Sequence, residues 1–286
     1  MQEAPDNQRP RETVVQVTRL VKRFGSRAVL DGVDLSVRAG ETMVVMGGSG
    51  CGKSTLLKHM VGSMWPDEGD VMLFGRSLLQ MDDQELDDTR KRFGILFQSG
   101  ALFNSMTVGE NVALPLREHT ELDADTIDII VRIKLELVGL REAVDLMPAQ
   151  ISGGMKKRAG LARAIAMDPS ILFYDEPSAG LDPVTSAAID ELIIDLSKKL
   201  KVTSVVVTHE MDSAFRIADR MVMLDRGRVL KIGSRQEFEN LRDTPPERLP
   251  TDEDKLIHQF LRGDTHGPLT DAEGMSEYEK WILAGE

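Results

Sequence analysis

The amino-acid sequence predicts an α/β fold with a mainly parallel core sheet, an antiparallel β subdomain and a helical lobe. Residues 14 to 40 alternate apolar and polar side chains, in "VVQVTRL" and "VLDGVDLSV", which is typical of strands in an antiparallel meander. Four later runs are uniformly apolar, which is typical of parallel strands covered by helices on both faces: "MVVM", "ILF", "ILFY" and "SVVVT". Between Gln98 and Gln150 the apolar spacing becomes helical, most clearly in "DADTIDIIVRIKLELVGL".

The last part of the sequence predicts smaller elements. "MVMLDRGRVLKI", residues 221 to 232, is typical of a hairpin. After Gly233 the chain becomes charged and proline-punctuated, with helical patterns near 235–241 and 252–262. The tail stretch "SEYEKWIL" contains a capping box from Ser276 to Glu279 and predicts a short helix that docks on another surface, because a helix of about two turns is unstable alone in water. A frayed terminus is the alternative.

The bulk composition excludes several classes of protein. A chain of 286 residues with 41% hydrophobic side chains can bury a sizeable core, so disorder of the whole chain is excluded. A formal net charge of −12 disfavours a nucleic-acid coat or a polybasic membrane anchor. The single cysteine, Cys51, excludes an internal disulfide. No stretch approaches the ~18 to 20 apolar residues of a spanning helix, and the start has no signal-like apolar core. We therefore expect a soluble chain whose membrane role depends on a partner.

A glycine-rich loop follows the first apolar strand. "GGSGCGKST" fits the pattern G-x-x-x-x-G-K-[ST] between a strand and the helical "LLKHMVG". Its backbone N–H groups can cradle phosphate oxygens, Lys53 can reach the β- and γ-phosphates, and Ser54 can offer its hydroxyl to Mg²⁺. The alternative is an ordinary strand–helix turn. The candidate nucleotide-binding residues are Gly47, Gly48, Ser49, Gly50, Cys51, Gly52, Lys53, Ser54 and Thr55. Cys51 is a passive loop residue or a reactive thiol at a helix start.

Polar residues follow the other apolar strands at the edge where α/β sheets bind ligands. Asp175 and Glu176 end "ILFYDE", and because adjacent strand residues face opposite ways, Asp175 suits a Mg²⁺ ligand and Glu176 suits activation of the attacking water. His209 is a candidate contact to the γ-phosphate, and Gln98 can bridge Mg²⁺ and that water. The alternatives are an acidic turn, a structural histidine and a loop amide.

A second anion site is predicted at the start of a helix, in "QISGGMKKRAG". Ser152 can cap this helix, and the N–H groups of Gly153 and Gly154 add donors and the positive end of the helix dipole. A capped helix without a ligand is the alternative. Met155, an apolar residue, follows directly and needs no part in phosphate binding.

Together these motifs resemble the ATP-binding subunit of an ATP-binding cassette (ABC) transporter, a P-loop NTPase cassette. The phosphate loop, Gln98, "ISGGM", "ILFYDE", "SAGLD" and His209 occur in that family's order over residues 13 to 240. The resemblance implies that Phe24 stacks on adenine, although a plain core residue of the meander is the alternative. It also implies an ATP-hydrolysing homodimer in which Ser152, Gly153 and Gly154 bind the ATP held by the other copy, with Asp182 at the interface between the copies.

Several stretches are similar, more narrowly, to the ATPase of Mla-type phospholipid transport: "LFQSGALFNSMTVGENVALPLREHT", "ISGGMKKRAGLARAIA", "FRIADR" and "HQFLRGDTHGP". This similarity implies a peripheral subunit on the cytoplasmic face of the inner membrane that powers phospholipid transport between the inner and outer membranes. It implies an integral-membrane permease, a lipid-binding shuttle protein and, in some members, a small regulatory cytoplasmic protein as partners. A cassette ATPase for another substrate, such as an amino acid or a lipoprotein, is the alternative. The presence of Glu176 and His209 argues against a non-catalytic regulator, and one cassette without an inserted coiled coil argues against DNA-associated or translation-associated members.

The family resemblance divides the chain into three regions. Residues 1–12 are expected to be a disordered lead-in, 13–240 the nucleotide-binding domain with a helical lobe at about 99–168, and 241–286 a C-terminal extension that contacts the second copy or a partner. The loop after Gln98 is unusually apolar, and we expect its side chains to be exposed in a groove that receives the permease: Ala101, Leu102, Phe103, Met106 and Val108. Ordinary packing against the helical lobe is the alternative.

Overall fold

The computed structural model describes residues 12 to 265, and these residues form two sheets with helices around them. The core sheet contains β3 (Thr42–Met46), β6 (Phe93–Leu96), β7 (Ile171–Asp175), β8 (Thr203–Thr208), β9 (Arg220–Asp225) and β10 (Arg228–Ser234). The second sheet contains β1 (Thr13–Phe24), β2 (Arg27–Arg38), β4 (Glu68–Leu73) and β5 (Arg76–Ser77). Within the described range the core sheet has the strand order β10-β9-β3-β8-β7-β6, and the second sheet has the order β2-β1-β4-β5.

The pairing of the strands confirms the predicted fold class. Strands β6, β7, β8, β3 and β9 pair in parallel, and only β10 joins this sheet antiparallel, through the predicted hairpin with β9. Strands β1, β2, β4 and β5 pair antiparallel, as the alternating pattern of residues 14 to 40 predicted.

The uniformly apolar strands are buried on both faces of the core sheet. Along β8, Val206 faces one hydrophobic core, whereas Val205 and Val207 face the other. Strand β3 divides in the same way, with Val44 on one side and Val45 on the other. One core lies under the helices that follow β6, and the second lies between the core sheet and the antiparallel sheet, so each buried strand supplies both cores.

The described residues form helices, most of which begin after a residue whose side chain caps them. They are α1 (Lys53–Met60), α2 (Asp83–Arg90), α3 (Val108–His119), α4 (Ala124–Leu137), α5 (Gly153–Ala164), α6 (Pro183–Leu200), α7 (Met211–Ile217), α8 (Arg235–Asp243) and α9 (Asp252–Arg262). Ser152 caps α5, Asp182 caps α6 and Thr251 caps α9 through bonds to backbone N–H groups. Helices α3, α4 and α5 lie between β6 and β7 in the chain, within the range expected for the helical lobe.

One expected loop residue is a core residue instead. Val108 was expected in an exposed apolar loop, but it is the first residue of α3 and is fully buried. The cause is a capping box, in which the Thr107 hydroxyl accepts the Glu110 N–H and the Glu110 carboxylate accepts the Thr107 N–H. The helix therefore starts directly after Thr107 and turns Val108 inward.

The described part of the C-terminal region packs on the cassette. Residues 240 and 241 lie inside α8, whose Phe238 is fully buried. Helix α9 adds Ile257 and Leu261 to the core under the helical lobe. Residues 1 to 11 and 266 to 286, and with them all but the last residue of the predicted lead-in and the whole predicted tail helix, lie outside the described residues. Within residues 12 to 265, no helix has the length and apolar character that crossing a membrane requires.

Candidate functional site

The phosphate loop lies between β3 and α1, and two of its glycines are sterically required. Gly47 has a φ of +152°, and a Cβ there would lie 2.1 Å from the carbonyl oxygen of Leu224. Gly52, which precedes α1, has a φ of +112°, and a Cβ there would lie 2.8 Å from the carbonyl oxygen of Val29. The loop can keep this tight path only because both positions lack side chains.

Lys53 folds back over the loop that precedes it. Its side chain is buried, and Nζ donates to the carbonyl oxygens of Gly47 at 2.7 Å and Gly48 at 3.0 Å. The ammonium therefore lies over the loop where a phosphate chain would bind. Cys51 has its side chain in the core, and burial raises the pKa of its thiol, which favours the passive interpretation over a reactive thiol.

The two predicted Mg²⁺ ligands from distant segments meet at the end of β7. Ser54 Oγ donates to Asp175 Oδ1 at 3.2 Å. Burial raises the pKa of the Asp175 carboxyl, the Ser54 hydrogen bond opposes this, and the charge of Glu176 raises it further. A hydroxyl beside a half-buried carboxylate is the kind of oxygen donor set that Mg²⁺ takes, and a bound cation would favour the ionised carboxylate, so these residues fit the metal.

Glu176 and His209 form a pair at the ends of β7 and β8. His209 Nδ1 lies 2.8 Å from Glu176 Oε1, and the backbone N–H of His209 donates to Glu176 Oε2 at 3.3 Å. Asp175 contacts Ser54 while Glu176 contacts His209, so the adjacent carboxylates have different partners, as the strand geometry predicted. Glu176 has a φ of +50°, a left-handed conformation that is uncommon for a residue with a side chain.

Most of the predicted residues of the nucleotide site line one cleft of about 640 Å³, whereas Gly47, Cys51 and Asp175 are not part of its walls. Its walls contain the predicted residues Gly48, Ser49, Gly50, Gly52, Lys53, Ser54, Thr55, Gln98, Glu176 and His209. Three further residues that the sequence did not indicate also form the walls: Arg27, Val29 and Phe260. Arg27 and Val29 stand just after the predicted aromatic residue Phe24, which is a signal that could have included them. No sequence signal points to Phe260, which comes from α9.

Phe24 is not a core residue. It ends β1, pairs with Arg27 across the turn, and is 51% exposed, so the alternative of a buried meander residue is wrong. Phe24 is not among the residues that line the cleft, although its strand partner Arg27 is, and its stacking on adenine stays a prediction.

The second predicted anion site lies outside this cleft. Ser152 Oγ accepts the Met155 N–H at 3.2 Å, and both Ser152 and Gly153 are exposed. Among the described residues that line the cleft, none belongs to this helix start. Within one subunit, therefore, the helix start and the phosphate loop do not enclose a common pocket.

The segment that carries Asp182 lies against this helix start. Gly154 packs so closely on Thr185 that a Cβ there would lie 2.5 Å from the threonine methyl group. Asp182 caps α6, and hydrogen bonds from Thr185 lower the pKa of its carboxyl. Asp182 itself is exposed, and its place at an interface between two copies stays a prediction.

Met155 packs inside the helical lobe. It is half-buried against the core and lines a surface pocket with Leu140, Ala143 and Leu146. The apolar side chain of Met155 therefore stabilises the position of the helix start. The sequence did not reveal this packing role.

A buried lysine joins α5 to the Glu176 pair. Lys157 Nζ donates to the Glu176 carbonyl oxygen at 3.0 Å. Burial lowers the pKa of this ammonium, while the carboxylates of Glu210, Glu176 and Asp175 oppose the shift. The sequence "MKKR" is typical of a solvated helix face, so Lys157 was missed.

A groove of about 640 Å³ lies beside the loop that follows Gln98. Ala101 and Phe103 line it, and Phe103 is 51% exposed, whereas Leu102 and Met106 are half-buried. The backbone of Phe103 is fixed by Asn111, whose side chain accepts its N–H at 2.7 Å. The apolar loop is thus partly exposed and, at Val108, buried.

Comparisons with known proteins identify one family. The family model described as "ABC transporter" matches residues 30–179. The intermembrane phospholipid transport system ATP-binding protein MlaF of Haemophilus influenzae is 39% identical over 95% of this chain and 99% of its own length. The Escherichia coli K12 protein of the same name is 41% identical over 91% of this chain and 93% of its own length. The probable ribonucleotide transport ATP-binding protein mkl of Mycobacterium leprae is 41% identical over 95% of this chain and 74% of its own length.

Solved structures agree with this result. A dimeric post-hydrolysis state of the ATP-binding cassette MJ0796 bound to ADP and Pi has a TM-score of 0.71 and 31% identity, over 77% of this chain and 98% of that chain. CbiO1 from Clostridium perfringens, part of the transporter complex cbiONQ, has a TM-score of 0.74 and 27% identity, over 86% of this chain and 98% of that chain. Both structures match nearly their full length.

Proposed function

The chain belongs to the ABC transporter family, and from this membership we propose that it is the ATP-hydrolysing subunit that powers phospholipid transport between bacterial membranes. Membership makes it an ATPase subunit that binds ATP, which the motifs in the sequence predicted. The substrate, the site roles and the partners that follow are proposals. The observation that carries the site roles is the convergence of Lys53, Glu176 and His209 on one cleft.

Within the cleft each group has a separate task. Lys53 and the loop N–H groups bind the phosphates of ATP. Glu176 accepts the proton of the attacking water, and His209 holds the Glu176 carboxylate in place and contacts the γ-phosphate.

The metal site completes the nucleotide site. Ser54, Asp175 and Gln98 would hold Mg²⁺, which neutralises charge on the phosphates when bound. Their oxygen atoms supply the ligands, and the Ser54–Asp175 contact keeps two of them together in the protein alone.

The remaining phosphate contacts come from a second copy of the chain. Ser152, Gly153 and Gly154 are exposed or packed away from the subunit's own cleft, so they can reach a nucleotide only across an interface. Asp182 lies beside them at the same surface. A homodimer with two composite ATP sites satisfies both observations.

The groove beside Phe103 is the proposed contact to an integral-membrane permease. Exposed apolar side chains on a groove wall are typical of partner surfaces. Attachment there would hold the subunit at the cytoplasmic face of the inner membrane. A lipid-binding shuttle protein and a small regulatory protein complete the proposed system.

The proposal of a phospholipid substrate is supported by the lengths of the relatives as well as by their sequence identity to this chain. This chain spans 99% of the H. influenzae protein, whereas the M. leprae protein named for ribonucleotide transport is longer and is covered over 74%. Isolation of the assembled complex from membranes, followed by mass spectrometry of its proteins and bound lipids, tests this proposal. We expect a permease and phospholipids, and a complex without lipid that carries ribonucleotides, amino acids or lipoproteins would contradict it.

The hydrolytic roles have a separate test. Glu176→Gln should bind ATP normally yet hydrolyse it at least ~100-fold more slowly, because the amide cannot accept the proton of water. The matched control is Glu191→Gln, which removes an exposed carboxylate on α6 that is not part of the cleft wall. A Glu176→Gln rate above about half of the wild-type rate would remove Glu176 from its proposed role.

A further inference from the structure

Lys157 is an unusual lysine because it is buried inside the subunit. Only 5% of its surface is exposed, and lysine is almost never fully buried unless it has a partner. Its ammonium donates a hydrogen bond to a neutral group, the carbonyl oxygen of Glu176, at 3.0 Å. Within residues 12 to 265, no carboxylate forms a direct ion pair with it, although Asp175, Glu176 and Glu210 all attract its charge. Burying an ammonium without a direct carboxylate partner costs free energy, which indicates that Lys157 has a role at Glu176.

Glu176 is held from several directions in a strained conformation. Its φ is +50°, its N–H donates to the Val207 carbonyl oxygen at 2.9 Å, and its carboxylate contacts His209. Those two contacts both come from β8 and the residue that follows it. The carbonyl oxygen accepts the Ala179 N–H at 3.3 Å and the shorter bond from Lys157. A left-handed residue with a side chain persists only where its surroundings determine it.

We propose that Lys157 is a positioning residue for Glu176. Its charged hydrogen bond fixes the Glu176 peptide plane, and that plane sets the direction in which the carboxylate leaves the backbone. This inference rests on the proposed role of Glu176. It also connects two sites, because Ser152, which caps α5, would meet the partner's ATP, whereas Glu176 acts on the subunit's own ATP.

The test compares hydrolysis with binding in the full-length protein. Lys157→Met keeps the length and apolar stem of the side chain but removes the donor. It should lower kcat for ATP at least ~10-fold, because small displacements of a catalytic group are costly, and leave the Kd for ATP within about twofold. Lys157→Arg, which keeps a cation and donors, should recover part of the rate.

A second buried lysine provides the matched control. Lys134 is also 5% exposed and donates to Asp168 in the helical lobe, away from the cleft. Lys134→Met should lower the melting temperature yet leave kcat of the folded protein within about twofold, which separates loss of a buried lysine from loss of Glu176 positioning.

The Glu176→Gln background distinguishes this inference from the proposed function. If Lys157 acts through Glu176, adding Lys157→Met to Glu176→Gln should change the residual rate by less than about twofold. A further full-size loss in the double variant would overturn the inference, as would a wild-type kcat in Lys157→Met. Should Lys157→Met fail to fold, Lys157→Leu replaces it, because leucine also lacks a donor, and a wild-type kcat there would overturn the inference equally. If Glu176→Gln itself keeps its rate, the proposed function fails first.

Discussion

Replacing Gly153 by alanine should make the subunit more stable and less active. Gly153 is the first residue of α5, is exposed, and does not have a left-handed backbone. A Cβ there would lie 3.6 Å from Leu181 Cδ2, which is an ordinary van der Waals contact. Within one subunit, therefore, the structure has no steric need for glycine at this position. The need arises only if a ligand approaches the backbone closely from outside.

The expected stability gain follows from the unfolded chain. A glycine-to-alanine change at a compatible position stabilises by about 0.4 to 1 kcal/mol, because the unfolded state loses freedom. For a chain of this size that gain raises the melting temperature by roughly 1 to 4 °C. Gly154→Ala is the contrasting variant, because its Cβ would lie 2.5 Å from Thr185 Cγ2, and such overpacking costs about 1 to 3 kcal/mol.

Thermal melting, ATP binding and ATP hydrolysis are measured on the same preparations of Gly153→Ala. The new methyl group stands where the partner's phosphate would approach, so hydrolysis should fall at least ~10-fold, while the subunit's own cleft binds ATP normally. A raised melting temperature with hydrolysis within about twofold of wild type would refute the approach of a ligand to this helix start. A lowered melting temperature would refute the local steric argument.

The remaining predictions concern three other regions. Phe103→Asp should reduce recovery of the permease with the subunit while basal hydrolysis stays within about twofold, since only an exposed groove residue changes; unchanged recovery would contradict the groove. Two hydrogen bonds lower the pKa of the Asp67 carboxyl: the larger effect comes from the backbone N–H of Arg23 and the smaller from the ammonium of Lys22. This stabilises the folded state above the ordinary aspartate pKa and is lost as the pH falls through the lower folded pKa, so Asp67→Asn should lose less unfolding free energy than wild type between about pH 5 and pH 3; equal losses would contradict it. Deletion of residues 264 to 286 should weaken dimerisation, measured by ultracentrifugation, without affecting ATP binding by the monomer; full-affinity dimers would contradict the predicted tail contact.

The fold and most of the cleft follow from local patterns. The four apolar runs could be recognised because strands buried on both faces need apolar side chains at every position, as Val205, Val206 and Val207 illustrate. The polar residue after each run could be assigned to one edge because parallel strands end together. Glu176 and His209 therefore met as predicted.

Val108 was misassigned although its signal was local. "TVGE" contains the Thr107–Glu110 capping box, which places Val108 at the first turn of a helix rather than in a loop. Apolar composition alone suggested exposure at a partner surface. The capping chemistry decides which of the apolar residues after Gln98 turn inward.

Phe260 and Lys157 could not be predicted because their positions depend on long-range packing. Phe260 reaches the cleft only because α8 and α9 fold back onto the cassette, where Phe238 and Ile257 are buried. Lys157 stands in a basic stretch whose composition indicates solvent exposure, yet α5 packs so that its ammonium meets the end of β7. Neither contact leaves a periodicity or a motif in the sequence.

The central claim is that each ATP site is shared between two copies, and mixed dimers test it most directly. Lys53→Ala damages the phosphate loop, and Ser152→Arg damages the helix start that faces the partner. A mixed dimer of the two has one site with both defects and one site with neither. Neither homodimer should hydrolyse ATP, and random mixing should restore up to about a quarter of the wild-type rate, since half of the dimers carry one intact site of two. The Ser152→Arg subunit alone should still bind ATP. A mixture no more active than its separate components, or loss of ATP binding by the Ser152→Arg monomer, would contradict the shared site.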